Sequence, residues 1–348
     1  MSLPEINSDE LQQFLLGLLN TPSPTGFSER AVEYTRAALE GLPGITMQVN
    51  VKGALLVTWQ GKHSSAPRAL SAHVDTLGAM VKEILPSGRL RLIRIGGLTW
   101  NSVEGENCTI FTEDGRQVRG TLLINKASVH VYGEQVTETK RTAENMEVRL
   151  DERVKSSEET TALGIRVGDF VAFDPRAEWI NGFIRSRHLD DKAGVACLVS
   201  AIRSMAAAGL QPEQTTHFLI SNFEEVGHGA ASGIPAEVVE MISVDMAAVG
   251  EGQASDEFHT TICTLDSTGP YHKGLSSRLR RIAEEEKIAV MTDIYPHYGS
   301  DGSAFWAAGG TAAVALIGPG VDASHNYERS HLDALLATTR LVMGYLLR

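Results

Sequence analysis

The chain of 348 residues carries a net charge of −12, which argues against a general binder of nucleic-acid phosphates. Its content of 43% hydrophobic and 21% charged residues is typical of a globular protein, and its length predicts two domains or one domain with an insertion. No apolar run approaches the roughly 18 residues of a membrane-spanning helix, and the N-terminus MSLPEINSDELQQF lacks the basic start and apolar stretch of a signal peptide. We therefore expect neither a membrane nor a nucleic acid as a partner.

The three cysteines are far apart in the sequence and form no CxxC pair: Cys108, Cys197 and Cys263. An odd number at such spacing predicts buried free thiols in a reducing cytoplasm rather than a disulfide framework. We therefore expect any bound metal to be held by His, Asp and Glu side chains.

The first 75 residues predict helices followed by strands. A helix capped by Asn7 or Ser8 is expected to run to about Asn20, and a second helix covers SERAVEYTRAALEGLPG. Short strands follow at ITMQVNV, GALLVTWQG and RALSAHVD. Alternating helices and strands with nearly continuous apolar strands predict an α/β sheet covered on both faces.

From about Thr76 to Pro175 the pattern changes to short alternating strands separated by turn signals. The predicted strands lie in GAMVKEI, PSGRLRLIRIGG, CTIFTEDGRQVRGTLLI, KASVHVYG, MEVRLD and VGDFVAFDP. The polar segment KSSEETTALGI is expected to be a loop or a short helix. This pattern of short alternating strands is typical of a small all-β barrel or sandwich.

After about Arg185 the α/β pattern returns. The expected helices are DDKAGVACLVSAIRSMAAAG, SSRLRRIAEEEKI and LDALLATTRLVMGYLL, and the expected strands are TTHFLISNF, EMISVDM and TAAVALIG. The sequence therefore predicts an α/β domain formed by residues 1–75 and 176–348, with a β domain inserted over residues 76–175.

Acidic or imidazole side chains follow the ends of several predicted strands. In an open parallel sheet the carboxyl ends of the strands line one crevice, so these side chains should converge there. Converging carboxylates raise each other's pKa, and a divalent cation removes that cost. Mixed His and Asp or Glu ligation suits zinc or a similar borderline ion. The residues concerned are His73 and Asp75 in ALSAHVD, Asp190 and Asp191 in SRHLDDKAG, Glu224 and Glu225 in FLISNFEEVG, Asp245 in MISVDM, and His325 in GVDASHNYERSH.

These motifs, in this order, resemble the co-catalytic dinuclear metallo-aminopeptidases, in particular the glutamyl aminopeptidase or tetrahedral (TET) aminopeptidase family, which includes cellulase M-like proteins. The resemblance covers essentially the whole chain. It implies a mixed, mainly parallel sheet sandwiched by helices, as in zinc peptidases, with an inserted barrel-like domain that mediates dimers. It also implies a cytoplasmic aminopeptidase that acts on short peptides, binds two divalent ions per subunit (zinc or cobalt, or manganese) and forms homo-oligomers from dimers to dodecamers.

The resemblance also implies a role for each site residue. Asp190 bridges both metals, since the bridging aspartate of the family lies four residues before the helix glycine, here Gly194. Glu224 is the general base, which takes a proton from the activated water and returns it to the leaving amine. Asp75 hydrogen-bonds the second ring nitrogen of a ligand histidine. The remaining ligands are His73 and Asp245 for the first metal, and Glu225 and His325 for the second.

Two departures from the family pattern concern charge and substrate preference. Lys192 stands where the family commonly has an arginine, and Asp322-Ala323-Ser324 replaces the usual residues before the last histidine. The second departure leaves the preferred substrate open. The HNYERSH ending resembles a bacterial subgroup associated with a dipeptide osmoprotectant system.

Several alternatives stay open from the sequence. His331 competes with His325 as the ligand, and Asp191 is expected to be a helix N-terminal charge rather than a ligand. His228 is expected to be either a loop residue or a substrate contact. Asp301, in a stretch that resembles the Gly-x-Asp loop of the family, either contacts substrate or orders that loop. The rival classes are a deacylase or carboxypeptidase, a glycosidase with Glu224 in an acid/base pair, and a structural subunit with a vestigial site.

Overall fold

The computed structural model describes residues 3–348. None of the helices in this part of the chain is long and apolar enough to cross a membrane. The predicted helices are present, and Asn7 caps the first of them by accepting a hydrogen bond from the backbone of Glu10. The helices are α1 (Ser8–Leu19), α2 (Glu29–Leu39), α3 (Val129–Tyr132), α4 (Gln135–Glu138), α5 (Ser157–Ala162), α6 (Leu189–Ala207), α7 (Lys273–Glu286), α8 (Asp301–Ala307) and α9 (Leu332–Leu346), with a 3-10 turn at Trp100–Ser102.

The strands form one large sheet, one closed barrel and a two-stranded ribbon. In chain order they are β1 (Ile45–Val49), β2 (Leu55–Trp59), β3 (His63–His73), β4 (Gly78–Ile84), β5 (Leu90–Ile95), β6 (Asn107–Phe111), β7 (Gln117–Ile124), β8 (Met146–Leu150), β9 (Phe170–Phe173), β10 (Glu178–Ile180), β11 (Phe183–Ser186), β12 (Gln214–Ser221), β13 (Glu240–Val244), β14 (Ala247–Val249), β15 (Thr260–Cys263), β16 (Leu265–Asp266), β17 (Gly269–Pro270), β18 (Val290–Asp293), β19 (Ala313–Asp322) and β20 (Glu328–His331).

The large sheet is mixed, which confirms the predicted fold class. Its central strands β12, β3, β13 and β19 are parallel to one another, whereas β1 and β2 add an antiparallel hairpin at one side. Beyond β19 the order continues through β20 and β11 to β10. Parallel strands need crossover connections; α6 lies in the connection from β3 to β12, and α7 and α8 lie in the connection from β13 to β19.

Both faces of this sheet are buried, as the continuous apolar strands predict. Along β3, Leu70 and Ala72 pack into one core together with α1, α2, α6, α7 and α9, whereas Ala69 faces a second core. The second core also contains Val314 and Leu316 of β19 and is partly covered by Phe305 and Trp306 of α8. The alternation of neighbouring residues between two cores is the period of two expected for a strand.

The inserted segment forms a closed antiparallel barrel in the strand order β4-β5-β8-β7-β6-β9, which confirms the predicted barrel. Its interior is filled by buried apolar side chains, among them Leu92, Ile110, Leu122, Val148 and Val171. The contacts of the chain define this unit as Thr76–Pro175, and a second compact unit consists of the residues up to Asp75 together with Arg176–Arg348. The roles predicted for the two units, oligomerisation and catalysis, stay predictions.

The predicted strand KASVHVYG is wrong, because this segment contains helix α3. Its backbone hydrogen bonds close locally, with the N–H of Tyr132 donating to the carbonyl of Ser128 and the N–H of Gly133 to that of Val129. Gly133 ends the turn at φ 55°, a conformation that glycine adopts readily. Val131 is exposed, so the alternating pattern has no core to face.

All three cysteines are free and buried, as the sequence predicts.

Candidate metal centre

The predicted ligands lie where neighbouring strands of the large sheet end. His73 is the last residue of β3 and pairs with Ser221, the last residue of β12. Glu225 follows in the loop after β12, and Asp245 comes directly after β13. Parallel strands place their carboxyl ends at one edge, which brings these residues together.

Two overlapping groups of side chains could each hold a cation. One ligand atom from each of His73, Asp190 and Asp245 lies within 4.8 Å of the others, and the same holds for Asp190, Glu225 and His325. Asp190 belongs to both groups. Its Oδ1 lies 3.1 Å from Nε2 of His73 and its Oδ2 lies 3.4 Å from Nε2 of His325, so its two oxygens face different histidines.

The start of α6 delivers Asp190 to this position. Asp190 and Asp191 have non-helical backbone angles within α6, and the peptide bond between them is cis. Asp191 is buried and accepts hydrogen bonds from the N–H groups of His73 and Gly194, each at 3.2 Å. A side chain at Gly194 would place its Cβ 2.4 Å from Oδ1 of Asp191 and 2.6 Å from the carbonyl of Val244. Glycine is therefore required at position 194, because the neighbouring atoms leave no room for a Cβ. The Asp191 carboxylate binds the backbone of β3 at His73 and the backbone of α6 at Gly194.

The electrostatics of the cluster favour bound cations. Burial, together with neighbouring carboxylates, raises the pKa of Glu224 and of Glu225 well above the usual range. Burial and the charge of Asp190 raise the pKa of Asp245 to about 7. Burial opposes ionisation of Asp190 as well, but the neighbouring imidazoles of His325 and His73 hold its pKa below its usual value. Buried carboxylates of this density are costly unless positive charge compensates them.

The chemistry of the donor set fits two divalent cations. Imidazole nitrogens and carboxylate oxygens suit zinc or a similar borderline ion. One group offers one histidine and two aspartates, and the other offers one histidine, one glutamate and the shared Asp190. A shared carboxylate is the arrangement expected when two ions lie close enough to act together.

Asp75 is placed differently from the prediction. Nδ1 of His73 is 2.9 Å from the backbone carbonyl of Asp75, but 3.7 Å from the Asp75 carboxylate. A carbonyl can only accept, so Nδ1 carries the proton and Nε2 is left free to bind a cation. The Asp75 carboxylate is occupied elsewhere, because it accepts from the hydroxyl of Thr25 at 2.7 Å and from the N–H groups of Glu224 and Glu225 at 3.2 and 3.4 Å. It therefore holds the backbone of the paired glutamates.

Glu224 lies beside the two groups and belongs to neither. Its Oε2 is 3.6 Å from Nε2 of His73, and its side chain is 15% exposed. Phe223 precedes it at φ 63°, a left-handed conformation that is uncommon outside glycine. This turn separates β12 from the paired glutamates.

The two proposed substrate contacts differ in exposure. Asp301 is buried and its carboxylate accepts from the hydroxyl of Ser221 at 2.6 Å and from the N–H of Ala230 at 2.8 Å. These bonds favour the alternative in which Asp301 orders the loop. His228 is exposed, and its ring stacks on Phe223 with centroids 5.4 Å apart.

His331 lies away from the cluster of predicted ligands. It caps α9 by accepting a hydrogen bond from the N–H of Asp333 at 3.2 Å, and its ring packs edge-on against Phe183. His325, the favoured alternative, lies 3.5 Å from Oε2 of Glu225 through its Nε2 and adopts a φ of 62°.

Glu328 is a site residue that the sequence analysis missed. It is buried and accepts from the N–H of Asp190 at 3.2 Å and from the N–H of His325 at 3.0 Å. Burial and the charge of Asp190 raise its pKa to about 8. It therefore ties together the backbones of two predicted ligands. Its position three residues after His325 is the one signal that the sequence offers.

Lys192 does more than supply the charge expected of it. It is buried, and its ammonium donates to the carbonyls of Leu18 at 3.0 Å and Thr21 at 2.7 Å. Burial lowers its pKa to about 7. Lys192 thus binds the end of α1 to the start of α6.

The chain belongs to the M42 glutamyl aminopeptidase family, whose model matches residues 53–341. This is a family of metallo-aminopeptidase hydrolases, which agrees with the resemblance found in the sequence.

Individual relatives agree with this assignment. A candidate aminopeptidase, YhfE of Bacillus subtilis (strain 168), is 49% identical over 329 residues, which are 94% of each chain. Among solved structures, aminopeptidase APDkam598 from the archaeon Desulfurococcus kamchatkensis is 20% identical with a TM-score of 0.87, covering 97% of this chain and 95% of that one. The TET1 peptidase of Pyrococcus horikoshii is 22% identical with a TM-score of 0.85, covering 97% and 99%. At these identities the structures establish a common fold.

Proposed function

We propose that this protein is a metal-dependent aminopeptidase that hydrolyses N-terminal residues from short peptides. The observation that carries the proposal is the pair of overlapping ligand groups that share Asp190, with the carboxylate of Glu224 beside both and in neither. The chemistry that two divalent ions supply when bound is Lewis-acid activation of a water and of the scissile carbonyl, with a place for the free amine of the substrate.

The residues of the chain perform the proton transfers and the positioning. Glu224 accepts the proton of the attacking water and returns it to the leaving amine. Asp75 holds the N–H groups of Glu224 and Glu225, so the base and a ligand keep their spacing. The Nδ1–H of His73, bound to the carbonyl of Asp75, orients the ring toward Asp190. His73, Asp190 and Asp245 are buried, which limits the access of bulk water to these three groups.

A fluorogenic aminoacyl panel tests the proposal. We expect activity to fall to background after chelation and to return on addition of zinc, cobalt or manganese, because the two ligand groups would hold the ions that activate the water and the scissile carbonyl. Acetylation of the substrate's N-terminus should abolish cleavage, which separates an aminopeptidase from a deacylase or carboxypeptidase. Undiminished activity after chelation, or cleavage of the blocked peptide, would contradict the proposal.

A glycosidase is the less favoured alternative. It would use Glu224 with a second carboxylate, but it gives no role to His73, His325 or the shared Asp190. Hydrolysis of a glycoside that survives chelation would favour it.

We further propose a cytoplasmic homo-oligomer. The TET1 peptidase of Pyrococcus horikoshii can assemble into a tetrahedron or a large octahedral shell, and the free buried cysteines of this chain suit a reducing compartment. We propose the barrel unit, Thr76–Pro175, as the oligomerisation surface. Membership of the osmoprotectant subgroup stays a prediction.

A further inference from the structure

We propose that Lys52 is a positioning residue for Glu224, and this inference rests on the proposed function. Lys52 lies in the turn between β1 and β2. Its ammonium donates to the backbone carbonyls of His228 and of Gly229, the latter at 2.6 Å. These carbonyls belong to residues 223–230, the segment that carries Glu224 and Glu225.

The register of the sheet places Lys52 against this segment. β2 and β12 pair antiparallel, with Leu55 opposite Ile220. Lys52 lies three residues before Leu55 and Phe223 lies three residues after Ile220, so the turn before β2 and the segment after β12 adjoin the same pair of strands. The Nζ of Lys52 lies 5.7 Å from the centroid of the Phe223 ring. The paired strands therefore bring the turn that carries Lys52 next to residues 223–230.

The turn that presents Lys52 is itself braced. The N–H of Gly53 donates to the carbonyl of Asn50 at 2.9 Å, and the N–H of Ala54 donates to the Asn50 side chain at 3.0 Å. The side-chain amide of Asn222 donates to the carbonyl of Lys52 at 2.8 Å. The turn is thus bonded to Asn222 through the Lys52 carbonyl and to residues 223–230 through the Lys52 ammonium.

Residues 223–230 need such support. Phe223 has a φ of 63°, and a non-glycine residue keeps that conformation only where its surroundings hold it. The Asp75 carboxylate binds the N–H groups of Glu224 and Glu225, and the Asp301 carboxylate binds the N–H of Ala230. Whereas these carboxylates accept hydrogen bonds from backbone N–H groups, the Lys52 ammonium donates to two backbone carbonyls that lie between them in the sequence.

Loss of the ammonium should therefore affect turnover more than binding. Glu224 acts on a water that must lie at hydrogen-bond distance, and a displacement of about 1 Å costs roughly 100-fold in rate. The metals should stay, because four of the five proposed ligands lie outside residues 223–230.

The first test compares Lys52→Met with Lys62→Met in the full-length protein saturated with zinc. Lys62 is an exposed lysine directly before β3 that pairs with Glu213 at 3.0 Å, so it controls for removal of a charge. We expect Lys52→Met to lower kcat at least about 10-fold, with KM changed less than about threefold and two metals retained. Lys62→Met should match the wild type. In a Glu224→Gln background, Lys52→Met should cause no further loss of the residual activity.

A rescue experiment isolates the ammonium. Lys52→Cys alkylated with 2-bromoethylamine restores an ammonium at nearly the original reach, and alkylation with 1-bromopropane gives a neutral side chain of the same size. The natural cysteines should not react, because they are buried and burial raises the pKa of each thiol to about 12. We expect the aminoethyl group to restore kcat and the propyl group to leave it low.

The outcomes separate the two proposals. An active wild type with an equally active Lys52→Met variant overturns the role of Lys52 and leaves the aminopeptidase intact. Loss of metal in Lys52→Met, an undiminished effect in the Glu224→Gln background, or rescue by the propyl group would each make Lys52 a structural residue instead. A wild type that releases no N-terminal residue from any peptide overturns the proposed function, and the inference about Lys52 falls with it.

Discussion

Replacing Glu224 by glutamine is expected to lower kcat by about 10²–10⁴-fold, the range typical for loss of a general base. Glutamine keeps the size of the side chain and its reach, but an amide cannot take up the proton of a water. Because Glu224 lies outside both ligand groups, the variant should still bind two divalent ions per subunit. Steady-state kinetics and elemental analysis of the same preparation measure both quantities.

The neighbouring residue provides the matched control. Glu225→Gln makes the same chemical change one position along, in a side chain that belongs to the group with Asp190 and His325. We expect this variant to lose metal, and to recover part of its activity when excess zinc is added. A Glu224→Gln variant that keeps wild-type turnover would remove Glu224 from the mechanism, and one that loses its metals would make it a ligand.

Asp190→Ala is expected to lose at least one metal per subunit and to reduce turnover to background. Asp190 contributes an oxygen to both groups, at 3.1 Å from His73 and 3.4 Å from His325. Its removal leaves each proposed ion with fewer ligands and takes away the carboxylate that connects them. Titration of the chelated protein with zinc should therefore give a lower stoichiometry, and no metal addition should restore full activity.

A second buried aspartate serves as the control for Asp190. Asp293 is buried and accepts hydrogen bonds from the N–H and the hydroxyl of Ser255, but it belongs to neither ligand group. Asp293→Ala should lose stability while it keeps two metals when folded. If Asp190→Ala also kept two metals with unchanged affinity, Asp190 could not be the shared ligand.

The convergence of the predicted ligands is the part of the site that the sequence could anticipate. Each of His73, Glu225 and Asp245 follows an apolar run, and parallel strands with apolar runs end at a common edge. The structure accordingly brings ligand atoms of His73 and Asp245 close to Asp190, and a ligand atom of Glu225 close to Asp190 and His325. Which ion each residue binds stays a prediction.

The contacts that orient the ligands depend on backbone geometry that the sequence pattern does not predict. The carboxylate of Asp75 was expected at the His73 ring, but the turn at Phe223 presents two N–H groups to it and a carbonyl takes its place. Glu328 is similar. Its strand, β20, has the sequence ERSH without an apolar run, so neither the strand nor its bonds to Asp190 and His325 could be foreseen.

The fold was predictable where burial dictates the pattern. The continuous apolar strands β12, β13 and β19 and the alternating strands of the barrel follow from which faces are buried. The segment KASVHVYG alternates in the same way, yet it forms a helix whose N–H groups donate to the carbonyl of Ser128, because its apolar side chains meet no core. Alternation alone does not reveal whether a partner strand exists.

Diffraction from zinc-loaded crystals, recorded on both sides of the zinc absorption edge, would locate the proposed ions. We expect two anomalous peaks about 3.5–4 Å apart, both within about 2.0–2.2 Å of an Asp190 oxygen. One peak should also be bound by His73 and Asp245, and the other by Glu225 and His325. A single peak at full occupancy under excess zinc, or two peaks that share no Asp190 ligation, would contradict this expectation.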